Sequence, residues 1–308
     1  MGKGIMAGVL WALDTVVLGI ALAMSPFGAT EQAVFLAPFV STFFHDVFSS
    51  VWMLIYMGIY GRYSSVIRAL KTKSGKFIML GALLGGPIGM SGYVAAIHYI
   101  GPAYTAVISA LFPALGALFS YIFLKEKMLL RQMAGLAVSI LGVIFLGYDP
   151  NGAIGENVIL GFACALLCCV GWAAEAVICA YGMKDPCVSN ADALTIRQIV
   201  SAVFYGGIII SLLGGWKFTA GIAVTKATMI ILVAALFGTA SYLCYYSAIN
   251  KIGATKAMAL NITYSAWAII FSFVILGTLP DKKALFAGIM IVGGSIVAAA
   301  EYKGKAAE

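Results

Sequence analysis

Tyr93-Val94-Ala95-Ala96-Ile97-His98-Tyr99-Ile100-Gly101 returns 152 residues later as Tyr245-Tyr246-Ser247-Ala248-Ile249-Asn250-Lys251-Ile252-Gly253. Tyr93, Ala96, Ile97 and Gly101 pair with Tyr245, Ala248, Ile249 and Gly253. The same offset aligns Phe119-Ser120 with Phe271-Ser272, Leu124 with Leu276, and Ser49 and Val51 with Ser201 and Val203. Small and apolar residues match by chance one at a time. One constant offset across several segments is what a duplicated unit leaves behind.

Around these landmarks the chain reads as ten apolar stretches, each near the ~20 residues that cross a bilayer as a helix. They run 4–25, 32–60, 76–98, 102–124, 129–147, 157–183, 190–214, 227–250, 255–277 and 283–301. The first is expected to be a retained helix rather than a signal peptide, because it lacks a small-residue cleavage site followed by a soluble domain. Each copy holds five helices, so the second must enter the membrane from the opposite side. The expected fold is an all-α integral membrane bundle of ten transmembrane helices in two inverted five-helix repeats, residues 1–150 and 151–308. Inverted repeats place a substrate near the midplane between the halves and move it by alternating access.

Composition agrees. Of 308 residues 62% are hydrophobic and 10% charged, with a mean hydropathy of +1.02. A soluble chain this apolar lacks the polar surface to cover itself, so the lipid bilayer is its solvent. The net charge of +7 is concentrated in loops, which points to membrane orientation rather than to nucleic acid. With the N-terminus inside, the cytoplasmic loops hold Lys3, Arg62, Arg68, Lys71, Lys73, Lys76, Lys125, Lys127, Arg131, Lys184, Lys251, Lys256, Lys303 and Lys305. The outer side holds only Lys217, Lys226, Lys282 and Lys283. This bias predicts both termini in the cytoplasm, in the cytoplasmic membrane. The six cysteines form no CxxC pair, and five of them fall in or at the end of the sixth span. They read as small packing residues, and with only two histidines no metal site or cofactor is expected.

An ionisable side chain deep in a span costs about 2.5–3.5 kcal/mol on insertion scales, so each one needs a reason. Asp14, Asp46, Glu175 and Arg197 are such residues, accompanied by His45 and Gln198. Trp11 precedes Asp14 by three residues, and Trp172 precedes Glu175 by three, so each indole shares a helix face with a carboxylate. Carboxylates beside indoles attract an organic cation; the alternative is a packing hydrogen bond between helices. His45-Asp46 occupies the register of Arg197-Gln198. That placement predicts an Asp46–Arg197 ion pair, structural or part of a gate, with His45 able to carry a proton.

The aromatic candidates for a central cavity are Trp11, Tyr93, Phe112, Trp172, Tyr242, Tyr245, Tyr246, Tyr264 and Trp267. Aromatic faces hold quaternary ammonium groups at roughly 0.5–2 kcal/mol each. The alternative is a belt at the membrane interface, where Tyr60, Tyr148 and Tyr302 fall. Gly81 to Met90, with Pro87 in its middle, interrupts the third span, and Pro113 stands in the fourth. Both are places where a helix bends or packs closely.

Ten helices in two inverted repeats resemble the drug/metabolite transporter (EamA-like) superfamily. Tyr99-Ile100-Gly101-Pro102-Ala103 and Lys251-Ile252-Gly253-Ala254-Thr255 look like its helix-joining turns, as does Phe123-Leu124-Lys125-Glu126-Lys127 at the end of the fourth span. Within it, Gly81 to Met90, His45-Asp46, Trp172 with Glu175, and Arg197-Gln198 are similar to the LicB-type choline permeases. That resemblance implies choline import, with Trp172 and Glu175 in an aromatic pocket. Asp14 has no clear place in that pattern and puts the exact substrate in doubt.

The expected substrate-binding residues are therefore Trp11, Asp14, Tyr93, Trp172, Glu175, Tyr242, Tyr245 and Tyr264, with His45, Asp46, Arg197 and Gln198 for gating or ion pairing. Two functions stay open. One is uptake of choline or a related quaternary amine. The other is proton-coupled export of amino acids, metabolites or cationic drugs. An enzyme is not expected: it would need a nucleophile, metal cluster or paired acids near an interface, and two histidines with no metal-ligand cluster argue against it.

Overall fold

The computed structural model describes residues 1–109, 111–147, 157–277 and 279–300, so Tyr148, Tyr302, Lys303 and Lys305 lie outside the described residues. The described residues are helical throughout, with no strand among them. In chain order the helices are α1 (Gly2–Leu22), α2 (Ser25–Gly28), α3 (Glu31–Ile59), α4 (Tyr63–Lys71), α5 (Lys73–Leu83), α6 (Ser91–Ser109), α7 (Phe112–Phe119) and α8 (Leu130–Gly147). There follow α9 (Val158–Gly182), α10 (Asn190–Phe204), α11 (Trp216–Ile222), α12 (Lys226–Ile252), α13 (Ala254–Asn261), α14 (Tyr264–Leu276) and α15 (Lys282–Ala299). Among the described residues, eight helical stretches are long and apolar enough to cross a membrane. Two shorter apolar stretches, Phe112–Leu124 and Leu130–Leu146, accompany them.

Helix starts follow local chemistry. Thr30, Thr72, Thr225 and Asp281 each accept, through the side chain, a backbone N–H three residues on. Ser189 and Asp192 form a reciprocal capping box at the start of α10. These contacts satisfy donors that a helix leaves open at its first turn.

The third span begins earlier than expected, at Lys73, and widens into a π-helical segment over Leu84–Met90. Pro87 lies inside it; a missing N–H there removes one rung of the α-helical ladder, and the wider turn accommodates the loss. Helical bonding then runs unbroken from Ser91 to Ser109, across the joint expected at Tyr99–Ala103. This helix packs on α9: Gly92 lies against Cys164 and Cys168, Tyr99 and Ile100 lie against Gly161, and Cys169 Sγ donates to the Ile108 carbonyl at 3.0 Å. At the matching position of the second copy the joint is an open turn, with Gly253 at φ +87° between α12 and α13.

The fourth and ninth expected spans are each interrupted, and at equivalent places. α6 ends at Ser109 and α7 starts at Phe112; α13 ends at Asn261 and α14 starts at Tyr264. Lys125 and Gly277, also one offset apart, are both left-handed caps. Pro113 does not bend a continuous helix but sits in the first turn of α7, where a missing N–H costs nothing.

The most extensive helix packing is α1 along α12, α8 along α15 and α6 along α9. Small residues allow it: Ser139 Oγ donates to the Ile291 carbonyl at 2.7 Å and meets Ser295 Oγ at 2.7 Å where α8 crosses α15. One apolar cluster holds Met53, Met57, Leu194 and Ile196; another holds Val40, Phe44, Tyr205 and Ile210. Along α3 and α10 the polar residues His45, Asp46, Ser49, Arg197, Gln198 and Ser201 lie between these two clusters, all buried.

Candidate functional site

α3 and α10 lie side by side and carry the centre of a buried polar network. Arg197 on α10 is its hub. Its Nε donates to Glu175 Oε1 at 2.8 Å and its Nη1 to Gln198 Oε1 at 2.8 Å and Asp46 Oδ1 at 3.4 Å. Its Nη2 donates to the Tyr242 hydroxyl at 3.1 Å, with the guanidinium carbon 4.7 Å from the Tyr242 ring centre. Asp46 is held from its other oxygen by Ser201 Oγ at 2.5 Å. His45 stands between two acids: Nε2 is 3.0 Å from Asp14 Oδ1 and Nδ1 is 3.8 Å from Asp46 Oδ1.

The network thus runs Asp14–His45–Asp46–Arg197–Glu175 across α1, α3, α10 and α9. Counted as ionised, it sets three carboxylates against one guanidinium and one imidazole. Even with His45 protonated the acids outnumber the cations by one. In a low-dielectric bundle such an imbalance is met either by a proton on one of the acids or by a further positive charge.

Two glycines make room for it. A Cβ at Gly238 on α12 would lie 2.7 Å from His45 Nε2 and 3.1 Å from Asp14 Oδ2. A Cβ at Gly85, in the π-helical segment, would sit on the Glu175 carboxylate.

Glu175 is where the network reaches open space. Its Oε1 accepts from Arg197 and, at 3.3 Å, from the Tyr246 hydroxyl. Its Oε2 lies against Gly85 of the π-helical segment. Beside Glu175 is a cavity of about 80 Å³. The walls are Trp11 from α1, Phe112 from α7, Trp172 from α9, Tyr242, Tyr245 and Tyr246 from α12, and Tyr264 from α14, with Met90, Ser241 and Asn261 completing them. The rings brace one another edge to face: Trp11 on Tyr242 at 5.2 Å between ring centres, Phe112 on Trp172 at 5.8 Å. Such contacts fix ring orientation before anything binds.

Of the sequence-derived candidates, the structure brings Trp11, Trp172, Glu175, Tyr242, Tyr245 and Tyr264 to this cavity. Asp14 does not line it; it is buried against His45. Tyr93 stands behind the wall, 5.4 Å from Trp172 between ring centres. His45, Asp46, Arg197 and Gln198 are joined in the network behind Glu175. Trp267 is not among the lining residues. Sequence reading passed over Asn261, Ser201 and Gly238. Ser201 was visible as the repeat mate of Ser49, and Asn261 as an amide in an otherwise apolar span; nothing in the sequence marks Gly238.

No group of three or more metal-ligating side chains occurs among the described residues. The chain matches the EamA-like transporter family over residues 4–148 and 159–300. It is 36% identical to Protein LicB of Haemophilus influenzae over 226 residues, covering 73% of this chain and 75% of that one. A solved protein crystal structure superposes with a TM-score of 0.68 at 18% identity, over 96% of this chain and 94% of its own, a likeness that shows the fold. This multi-pass membrane protein belongs to the EamA-like transporter family.

Proposed function

We propose that the protein takes up a small quaternary ammonium compound, choline or a close relative, through the cavity at Glu175. The observation that carries this reading is a buried carboxylate, Glu175, lining a cavity walled by aromatic rings. A quaternary ammonium group has no N–H to donate. It is bound by ring faces and by the field of a nearby acid, and this cavity offers the rings together with Glu175, which is paired with Arg197. The acid surplus of the network adds to the attraction. The likeness of the sequence to LicB-type choline permeases supports the same substrate, and Trp11, Trp172, Tyr242, Tyr245 and Tyr264 are the ring residues assigned to it. Asp14 and Tyr93 are assigned supporting places, Asp14 through His45 and Tyr93 behind Trp172.

The transport cycle is proposed to be alternating access between two inverted five-helix repeats, residues 1–150 and 151–308. The two shorter apolar stretches, Phe112–Leu124 and Leu130–Leu146, supply the crossings beyond the eight long ones. Three features support the symmetry. The interruptions after Ser109 and Asn261 share one offset, as do the caps at Lys125 and Gly277. The packing pairs fit as well: the repeat exchanges α1 with α9 and α12 with the third span, so α1 on α12 becomes α9 on α6. The distribution of basic residues supports a cytoplasmic place for both termini.

A cation entering a cell at 100 mV, inside negative, gains about 2.3 kcal/mol, roughly a 50-fold accumulation. Proteoliposomes with an imposed potential and labelled choline test the reading. Uptake driven by an inside-negative potential supports it; no uptake above empty vesicles at either polarity overturns it.

A second reading, export in exchange for protons, draws on His45 standing between Asp14 and Asp46. It requires that a pH gradient alone drive substrate movement.

A further inference from the structure

The cavity wall carries one side-chain amide, and it sits at a helix break. α13 ends at Asn261 and α14 begins at Tyr264, with Ile262 and Thr263 between them. Thr263 Oγ1 turns back to donate to the Leu260 carbonyl at 2.7 Å, closing the end of α13. α1 packs onto this break without side chains in the way: a Cβ at Gly4 would meet Leu260, and a Cβ at Gly8 would meet Thr263 and the Asn261 carbonyl. The backbone that presents Asn261 is therefore fixed from two sides.

The polar groups around it are largely committed elsewhere. Ser241 Oγ donates to the Ala7 carbonyl at 2.7 Å. The Tyr242 hydroxyl takes Nη2 of Arg197, and the Tyr246 hydroxyl donates to Glu175. The Asn261 amide has no hydrogen-bond partner among the described residues, and it lines the cavity. An amide both donates and accepts, which suits a hydroxyl group and is of no use to a trimethylammonium head. The repeat mate of Asn261 is Ser109, which ends α6 at the equivalent break, so the amide belongs to one copy only.

We propose that Asn261 is a specificity-determining residue that hydrogen-bonds the hydroxyl of the substrate, so that the transported class is a hydroxylated quaternary amine rather than any small tetraalkylammonium. This rests on the cation-binding reading of the cavity given above. In that reading Glu175 and the rings hold the charged head while Asn261 reads the other end. A single neutral hydrogen bond formed at a site closed from water is worth roughly tenfold in affinity.

The test compares choline with propyltrimethylammonium, in which a methyl replaces the hydroxyl. Binding is read by titration calorimetry on purified protein, and transport by competition for uptake. The wild type is expected to prefer choline by roughly tenfold. Asn261→Leu, close in volume, is expected to bring that ratio to about one while leaving propyltrimethylammonium binding nearly unchanged. A structural role alone would weaken both ligands together. Equal affinity of the wild type for the two amines overturns the proposal whatever the variant does, and so does a variant that keeps the preference. If neither amine binds, the cation reading itself falls; if both bind equally, only the role of Asn261 falls.

Discussion

Arg197 Nε and Glu175 Oε1 lie 2.8 Å apart, and the same guanidinium reaches Asp46 with a different nitrogen. One cation thus holds an acid from each half of the chain. Removing it leaves Asp46 and Glu175 buried without a counter-charge. Breaking a buried pair from one side typically costs about 3–5 kcal/mol. Arg197→Met is expected to lower the thermal unfolding temperature in detergent sharply, and Asp46→Asn in the same chain to recover part of the loss. A single Arg197→Met with unchanged melting would show that the pair contributes nothing.

Glu175→Gln keeps the shape of the side chain and removes its charge. The Arg197 and Tyr246 contacts at Oε1 can persist through the amide oxygen, so the fold should tolerate the change. Choline affinity is expected to fall about 10- to 100-fold, the range for losing a contact to a charged group. The neutral isostere 3,3-dimethylbutanol, which has the shape of choline without its charge, should bind both proteins equally weakly in a thermal-shift titration. Equal binding of choline and this alcohol by the wild type would contradict an electrostatic role for Glu175.

Much of this was legible in the sequence because repeats and intramembrane charges are costly features that leave marks. A 152-residue offset joins Tyr93 to Tyr245, and each charge in a span had to find a partner. The helix interiors were legible; their interruptions were less so. The π-helical segment lay where Pro87 and its glycines stood, and Pro113 marks the break after Ser109, but the break at Asn261 carries no proline or glycine of its own. The placement of Asp14 was also hidden. Its helix face is shared with Trp11, yet one residue lines the cavity and the other turns to His45, a choice made by Gly238 on a helix more than two hundred residues away.

That glycine gives a prediction of its own. Gly238→Ala places a methyl 2.7 Å from His45 Nε2, closer than real contacts come, and 3.1 Å from Asp14 Oδ2, tighter than most. Both side chains are buried, so neither swings into solvent. Overpacking of this kind costs about 1–3 kcal/mol. Lower thermal stability, measured in the same detergent as the parent, is the expected result. A fully stable Gly238→Ala protein would mean that the His45–Asp14 contact is easily given up.

Glu126 makes a stabilising contact of a different kind. Its two carboxylate oxygens accept the backbone N–H groups of Ala254 at 3.1 Å and Thr255 at 3.2 Å. It closes the open end of α13 from the far side of the chain, next to Gly253 in its positive-φ turn. Loss of such a cap costs about 0.5–2 kcal/mol. Because α13 carries Asn261 to the cavity, Glu126→Ala should lower both melting temperature and choline affinity, whereas Glu126→Gln, which keeps an acceptor, should lose less of each. Identical behaviour of the two variants would remove the capping role.

The His45 ring has an acid in reach of each nitrogen, Asp14 at 3.0 Å and Asp46 at 3.8 Å. A proton on either nitrogen therefore has an acid beside it, and Asp46 is shared with Arg197, which also holds the cavity-lining Glu175. Arrival of a cation at Glu175 and the charge on His45 act on one connected set of groups. If that coupling drives transport, choline movement in proteoliposomes responds to a pH gradient imposed at zero membrane potential. His45→Gln and Asp14→Asn are each expected to abolish the response while leaving potential-driven uptake measurable. Gradient dependence that survives in both variants would place the proton elsewhere and leave the Asp14–His45 contact as a fastening between α1 and α3.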